Sequence, residues 1–504
     1  MRTTVLIFSV FTSLCIAFTA SAEQSKPARK PNIIFILADD LSYGDLSCFG
    51  QKHFSTPNLD RLAAEGRVFS NAYAAGPWCA PSRTGLLTGL HSGHFAPHGK
   101  GENQRFNPTV AEMLKTEGYA TCALGKWHMR EPGNTWNRHK TWEEQKKGTV
   151  WKQMPWNRGF DVCRIGYRSG DNPYYPHQLE YGDNLEIPLP QNREIDDKYL
   201  WRYRQSGESL FDSRGRYLDK SGSTMLRYSE DIYREEAVRF LRENQKNPFF
   251  LYYATPLAHG PLAVPSLGRF KDKSKEWTSA HKFWAAMAEY LDGSVGIILD
   301  ELKRLGIEQN TILLFASDNG YAEWGYFGRG QWTDDPLFKN KGPWNRGKFI
   351  NTNGGVIVPF IAWGPGRIPA GRTDRAVNFY DLMATAGELS GANLPGPTDG
   401  VSFVPLLEGR DGDQAVRPSM LWSAEQSTAL TDPWEAQEKN PAKGNFDSVL
   451  LDEKWFAVVF RETSSLRGRV VHVFDITTDP GMEKDLSAVR SDLCERAVEA
   501  IKSL

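Results

Sequence analysis

The sequence predicts an α/β protein with a large mixed, mostly parallel sheet sandwiched by helices and a smaller C-terminal α+β subdomain. Three observations predict this. Short, fully apolar runs recur along the chain: "NIIFILA" (32–38), "TCAL" (121–124), "PFFLYYA" (248–254), "TILLFAS" (311–317) and "VIVPFIAW" (356–363). Runs without polar alternation suit parallel strands covered on both faces. Segments with helical apolar spacing lie between them, and strands alternating with helices imply a sheet with helices on both sides. After about residue 400 the texture changes: "SVLLDEKWFAVVF" and "RVVHVFDI" look like antiparallel strands, and "SDLCERAVEAIKSL" like a closing helix.

Taken in order, the chain begins with Arg2, an apolar run from Val5 to Ala17 and the small-residue pattern Ala20-Ser21-Ala22. That is the form of a secretory signal over residues 1–22, cut before Glu23. The expected protein is exported, periplasmic or secreted, and no later stretch is apolar and long enough to span a bilayer. The catalytic α/β domain is expected over 23–400. Within it "TPNLDRLAAEG" has Thr56 to cap a helix, Pro57 at its first position and Gly66 to stop it. "NPTVAEMLKTEG" repeats the grammar with Asn107, Pro108 and Gly118. "SEDIYREEAVRFLREN" (229–244) and residues 281–306 also have helical spacing. Residues 130–228 are polar and crowded with aromatics, which predicts an insertion over one sheet edge. Its indoles either stack on sugar faces or pack a small core of their own. Residues 401–504 form the expected C-terminal subdomain.

The bulk numbers narrow the class. Among 504 residues, 40% are hydrophobic and 24% charged, the balance of a soluble globular protein. A formal net charge of -1 gives no global footprint for nucleic acid. Of six cysteines, Cys15 falls in the signal; Cys48, Cys79, Cys122, Cys163 and Cys494 remain. They show no zinc spacing, and an odd number in an exported chain asks for a chemical role for one of them. Cys122 sits in an apolar run; Cys48 and Cys163 suit either core positions or a pair.

Polar residues follow each buried strand. Asp39 and Asp40 come after the first, Lys126 and His128 after the second, His259 after the third, Asp318 and Asn319 after the fourth. Ligands of an open parallel sheet bind outside the carboxyl ends of its strands, so these residues should converge on one edge. Three carboxylates and an amide oxygen together are hard donors that call for Ca²⁺, or less readily Mg²⁺. Lys126, His128, His259 and Lys348 add positive charge and proton donors, which suits a tetrahedral oxyanion such as a phosphate or sulfate ester. "GPWCAPSRTGLLTG" (76–89) puts Cys79 at the mouth of a short helix with Arg83 one turn on. The positive helix end would activate a thiolate there, but a soft thiolate is a poor partner for a hard cation. The chemistry asks for an oxygen nucleophile at position 79.

Cys79-Ala80-Pro81-Ser82-Arg83 and the following "TGLLTG" resemble the signature of type I, formylglycine-dependent sulfatases of the alkaline phosphatase superfamily. "PNIIFILADDLSYGDLSCFG", "GKWH", "AHGPL", "FASDNG" and "GKFINTNGGVIVP" resemble further blocks of that family in the same order. The resemblance implies that a formylglycine-generating or sulfatase-maturing enzyme oxidises Cys79 to an aldehyde whose hydrate supplies the missing oxygen. It implies Asp39, Asp40, Cys79, Asp318 and Asn319 as the calcium set, and Lys126 and Lys348 as sulfate contacts. Arg83 would favour the ionised hydroxyl, His259 would act as the acid and His128 as the base. The block around Lys348 departs from the family, with Asn353 and Ile357 where Glu and Arg are usual, and Lys341 competes for the same role. The expected substrate is a sulfated glycan, with Trp127, Trp324, Arg130, Arg329, His94 and His98 as candidate specificity residues. Alternatives are a phosphonate or phosphodiester hydrolase of the same superfamily, a non-catalytic binder of sulfated glycans, and a cysteine hydrolase using a Cys79–His dyad, which leaves the aspartates unexplained.

Overall fold

The computed structural model describes residues 29–95, 107–129, 153–166, 194–195, 210–211, 217–218, 228–259, 262–322, 334–423, 430–431, 443–462 and 470–502. The signal and most of the 130–228 insertion lie outside the described residues, as do Arg130, His98, Trp324 and Arg329.

An eight-stranded sheet forms the centre. Its order is Gly371–Thr373, Arg67–Phe69, Phe360–Trp363, Thr311–Ser317, Asn32–Ala38, Phe249–Ala254, Ala120–Lys126, Val162–Gly166. The five strands from Thr311–Ser317 to Val162–Gly166 run parallel. The first strand therefore lies in the middle, flanked along its whole length by Thr311–Ser317. Its side chains alternate between two buried faces, as the absence of polar alternation requires. Ile34 and Ile36 pack with Leu251, Tyr253, Leu313 and Trp284. Ile33, Phe35 and Leu37 pack with Phe250, Tyr252, Leu314, Leu86 and Met113. Each such aliphatic or aromatic side chain contributes roughly 1.5–3 kcal/mol when fully buried.

Helices Pro57–Glu65, Ser229–Asn244 and Ser279–Leu305 cover the first face, and Cys79–Thr88, Val110–Thr116 and Asp381–Ser390 cover the second. Two local expectations need correction. The helix after Asn107 is capped by Thr109, which forms a capping box with Glu112, rather than by Asn107. The fifth apolar run is not a parallel strand. Residues 353–356 form a helical turn and only Phe360–Trp363 is extended, antiparallel to Thr311–Ser317. The reason is topological. Residue 348 is still at the carboxyl edge of the sheet (below), so the chain has not crossed over, and the next strand must run back.

The C-terminal subdomain is an antiparallel sheet of Ser419–Trp422, Lys443–Leu451, Trp455–Glu462 and Val470–Asp475, with Leu430–Thr431 on its flank. Helix Ser491–Ile501 covers one face through Leu493, Ala497 and Ile501. The other face lays Trp422, Phe456 and Phe474 against Ile350 and Val356 of the main body. Three side-chain amides stitch this seam: Asn351 Nδ2 donates to Ser423 O (2.7 Å), Asn353 Nδ2 to Pro480 O (2.7 Å) and Asn345 Nδ2 to Gly481 O (3.0 Å). Asn353 thus serves as a clamp between the two parts.

Among the described residues, Cys48, Cys79, Cys122, Cys163 and Cys494 form no disulfide. Cys122 and Cys163 lie on neighbouring strands but belong to opposite faces of the sheet, so they do not meet.

Candidate active site

The carboxyl ends of the parallel strands bring their polar residues together. Asp39, Arg83, Asp318 and Asn319 are fully buried, and Asp40, Cys79, Lys126 and Lys348 nearly so. Asp40 and His128, both just past strand ends, have positive φ (61° and 46°). Non-glycine residues hold that conformation at some cost, and do so where their surroundings fix them. Gly125 has φ 90°, and a Cβ there would lie 2.0 Å from Ala254 O, so only glycine permits the turn that delivers Lys126.

The helix Cys79–Thr88 starts at the site, capped by Trp78 in extended conformation. Pro81 leaves its first turn with one N–H fewer. Arg83 points inward. Its Nε and Nη2 both reach Asp318 Oδ2 (2.9 and 2.8 Å), and Nη1 donates to Lys126 O (2.8 Å). Lys126 Nζ bonds both oxygens of Asp39 (2.8 and 2.6 Å). Lys348 Nζ bonds Asp40 Oδ1 and lies 3.4 Å from Cys79 Sγ. His259 Nε2 is 3.5 Å from Asp40 Oδ2. Lys341, the competitor for the Lys348 role, is half-buried elsewhere, with its backbone N–H on the Asp334 carboxylate.

The carboxylates repel one another in a dry site. Burial, opposed by Lys126, pushes the Asp39 carboxyl above its ordinary value. Lys348 holds Asp40 well below it, and Arg83 lowers Asp318, in both cases against burial. Burial also drives the Cys79 thiol up to about 12, with Asp318 adding to the effect. That corrects the expectation of an activated thiolate. The helix end is outweighed by desolvation and neighbouring carboxylates, and the cysteine-hydrolase alternative loses its nucleophile. Burial together with Lys126 and Arg83 pushes His128 well below its usual value, so its imidazole is neutral. Burial lowers His259 as well, against the pull of Asp39 and Asp40.

The donors fit a divalent cation. One ligand atom each from Asp39, Asp40, Cys79 and Asp318 lies within 4.8 Å of the others. Asn319 Nδ2 donates to Asp40 Oδ1 (2.9 Å) and Gly320 O (3.1 Å), while its Oδ1 is buried with no hydrogen-bond partner. Buried acceptors are rarely left so, and a hard cation bound by oxygen would satisfy this one.

The Sulfatase family model matches residues 31–392. The chain belongs to the sulfatase family. That family comprises sulfuric ester hydrolases within the alkaline phosphatase superfamily. An N-acetylgalactosamine-6-sulfatase from Canis lupus familiaris is 31% identical over 425 residues, covering 80% of this chain and 70% of its own length. An N-acetylgalactosamine-6-O-sulfatase from Bacteroides thetaiotaomicron is 30% identical over 422 residues, covering 77% and 78%. A solved structure of Ps i-CgsB in complex with k-i-k-neocarrahexaose superposes with TM-score 0.66 at 25% identity, over 94% of this chain and 92% of that one.

Not every expected residue reaches the site. Trp127 is fully buried, its Nε1 donates to Gln153 O (2.8 Å), and its ring meets Phe160 edge-on. It is a core residue, because it lies on the inward side of the turn whose neighbours Lys126 and His128 face the site. His94 pairs with Asp399 (2.9 Å) and lies tilted by 30° against His91, with ring centroids 3.9 Å apart. Sequence reasoning passed over Trp78 and Phe349, which border Cys79 and Lys348. It also passed over Asp45, a buried carboxylate that accepts from Trp284 Nε1 (2.9 Å), Asn340 Nδ2 (2.8 Å) and Ser42 N (2.7 Å). The first two were legible as aromatic neighbours of motif residues. Locally Asp45 shows only as the partner of Ser42 in a capping box; its other two partners lie 239 and 295 residues away.

Proposed function

We propose that this protein hydrolyses sulfate esters of a saccharide, using a formylglycine made from Cys79 beside a Ca²⁺ ion held by Asp39, Asp40, Asp318 and Asn319. The observation that carries the reading is the ring of buried acidic groups around position 79, with the unpartnered Asn319 oxygen among them. The hydrated aldehyde would supply an oxygen nucleophile where the thiol is protonated. The metal would supply Lewis-acid polarisation of sulfate oxygens.

The chain's own residues do the rest. Three carboxylates (Asp39, Asp40, Asp318) face three cations (Lys126, Lys348, Arg83), so the ring is formally balanced. Adding a divalent ion makes it net positive, the condition for holding a sulfate dianion's negative charge as it builds. Lys126 and Lys348 exchange a carboxylate partner for sulfate oxygens. Arg83 fixes Asp318 and adds charge behind position 79. His259, in its protonated form, donates a proton to the departing alcohol oxygen, and neutral His128 accepts one from the nucleophile's second hydroxyl.

Support for a saccharide comes from the relatives, two of which are named for N-acetylgalactosamine 6-sulfate. A leader at residues 1–22 would export the protein, a maturing enzyme would convert Cys79, and residues 23–400 would carry the chemistry with 401–504 as support. The test is peptide mass spectrometry of position 79 from the native host, paired with turnover of sulfate against phosphonate and phosphate esters. Formylglycine and preferred sulfate hydrolysis are expected. An unconverted thiol would favour a binding protein, and preferred phosphonate hydrolysis the sister activity.

A further inference from the structure

We propose that Phe349, backed by Trp78, is a platform at the lip of the site for the apolar face of the sugar bearing the scissile sulfate, and that it favours a galacto-configured pyranose. This rests on the saccharide sulfatase reading above and gives it a specificity element.

Phe349 is 46% exposed, the one aromatic among the exposed large hydrophobic residues described. Its φ is 76°, in the left-handed region that a bulky aromatic side chain rarely adopts. It is held there by its N–H on Pro77 O (2.7 Å), which ties it to the residue before Trp78. Strain of this kind persists where surroundings enforce it, and concentrates at ligand clamps. Leaving a phenyl ring in water at a strained position gains the fold nothing, so a ligand is the economical reason for it.

The placement points to the sulfate's neighbour. Lys348 Nζ lies 5.3 Å from the Phe349 ring centroid and 3.4 Å from Cys79 Sγ. An ester held at that ammonium has its sugar ring within reach of the phenyl face. Trp78, adjacent in sequence to Cys79, packs behind Phe349 at 6.3 Å between centroids and stands edge-on to His128 at 6.1 Å. The two rings therefore line one side of the approach to the nucleophile.

An aromatic face takes polarised C–H groups and excludes hydroxyls. In a galacto sugar the axial 4-hydroxyl leaves C3–H, C4–H and C5–H together on one face. In a gluco sugar the C4–H turns to the opposite face, and that patch is broken. A ring platform beside the sulfate seat thus selects the former.

The test compares galactose 6-sulfate with glucose 6-sulfate, two primary-alcohol esters, for the converted wild type, Phe349→Ala and Phe349→Tyr. The wild type should prefer the galacto ester in kcat/KM by about tenfold, the scale of one well-placed aromatic contact. Phe349→Ala should lose most of that preference, chiefly through KM, and Phe349→Tyr should restore it. Thermal melting checks that each variant is folded. In parallel, saturation-transfer NMR of galactose 6-sulfate should show strongest contacts at H3, H4 and H5 in the wild type and their loss in Phe349→Ala, without requiring turnover. Turnover with an unchanged sugar preference in folded Phe349→Ala would overturn the platform and leave the sulfatase reading standing. H3–H5 contacts that depend on Phe349, in a protein that cleaves no sulfate ester, would do the reverse.

Discussion

Removing the Arg83 guanidinium should destabilise the whole protein, and the structure sets the size. The group is fully buried, and two of its nitrogens converge on one oxygen of Asp318 while a third caps Lys126 O. Arg83→Met leaves Asp318 with only Lys126 at 4.0 Å and the Asp40 N–H at 3.2 Å as polar partners. Stripping one partner from a buried ion pair costs about 3–5 kcal/mol, because the remaining charge is uncompensated. Asp318→Asn should cost about as much for the mirror reason, because it leaves the Arg83 charge buried and unpaired, so a loss of activity there is not by itself proof of a metal ligand. The double variant Arg83→Met/Asp318→Asn removes both charges and should recover to within about 1–2 kcal/mol of wild type, a coupling that a double-mutant cycle reads directly. The assay is denaturant unfolding of every variant in excess chelator, so that loss of a bound ion does not enter the comparison. If Arg83→Met unfolds within about 1 kcal/mol of wild type, or the two single losses simply add, the pair is not the keystone described here.

Three other outcomes follow from the geometry. Burial raises the Asp45 carboxyl to about 7 despite its three donors. The folded state therefore holds a proton that the unfolded chain releases near 4. This contribution to stability is full at low pH, falls by about 1.4 kcal/mol per unit as pH rises towards 7, and is level above. Unfolding midpoints from pH 4.5 to 8 should show a flatter profile for Asp45→Asn; parallel profiles would count against it. Gly125→Ala should lower stability by at least about 1–3 kcal/mol and displace Lys126, whereas Gly118→Ala, at φ 80° but with open space around it, should cost about 1 kcal/mol; melting curves of the two variants compare them. Asn319→Ala should lower metal content after dialysis, measured by elemental analysis, and retention at wild-type stoichiometry would remove that oxygen from the ligand set.

The site was legible because parallel sheets deliver ligands at strand ends. Asp39, Asp40, Lys126, Asp318 and Asn319 could be found by looking just past apolar runs, and the structure brings them together. Lys348 follows no strand, so no strand end marks it; it groups with the site's cations, and the family resemblance gives it a role as a sulfate contact. Trp127 is a candidate because it lies near motif residues, with a structural role as the other option, and sequence proximity does not specify which side of a turn a ring takes. Periodicity misjudged the run 356–363, whose direction depends on where the preceding forty residues travel. Asp45 was passed over because the Ser42-x-x-Asp45 spacing reads only as a helix cap, while the partners that bury its carboxylate, Trp284 and Asn340, come from distant segments.

The three amide clamps at Asn345, Asn351 and Asn353 have a consequence for how this architecture can change. They grip the peptide on either side of Lys348, so the segment that carries this lysine is braced by the last hundred residues of the chain. Such a module cannot be trimmed away or exchanged like an accessory tag. A shortened form ending near residue 400 would retain its acidic cluster, yet lose three of the anchors on the segment that carries its lysine.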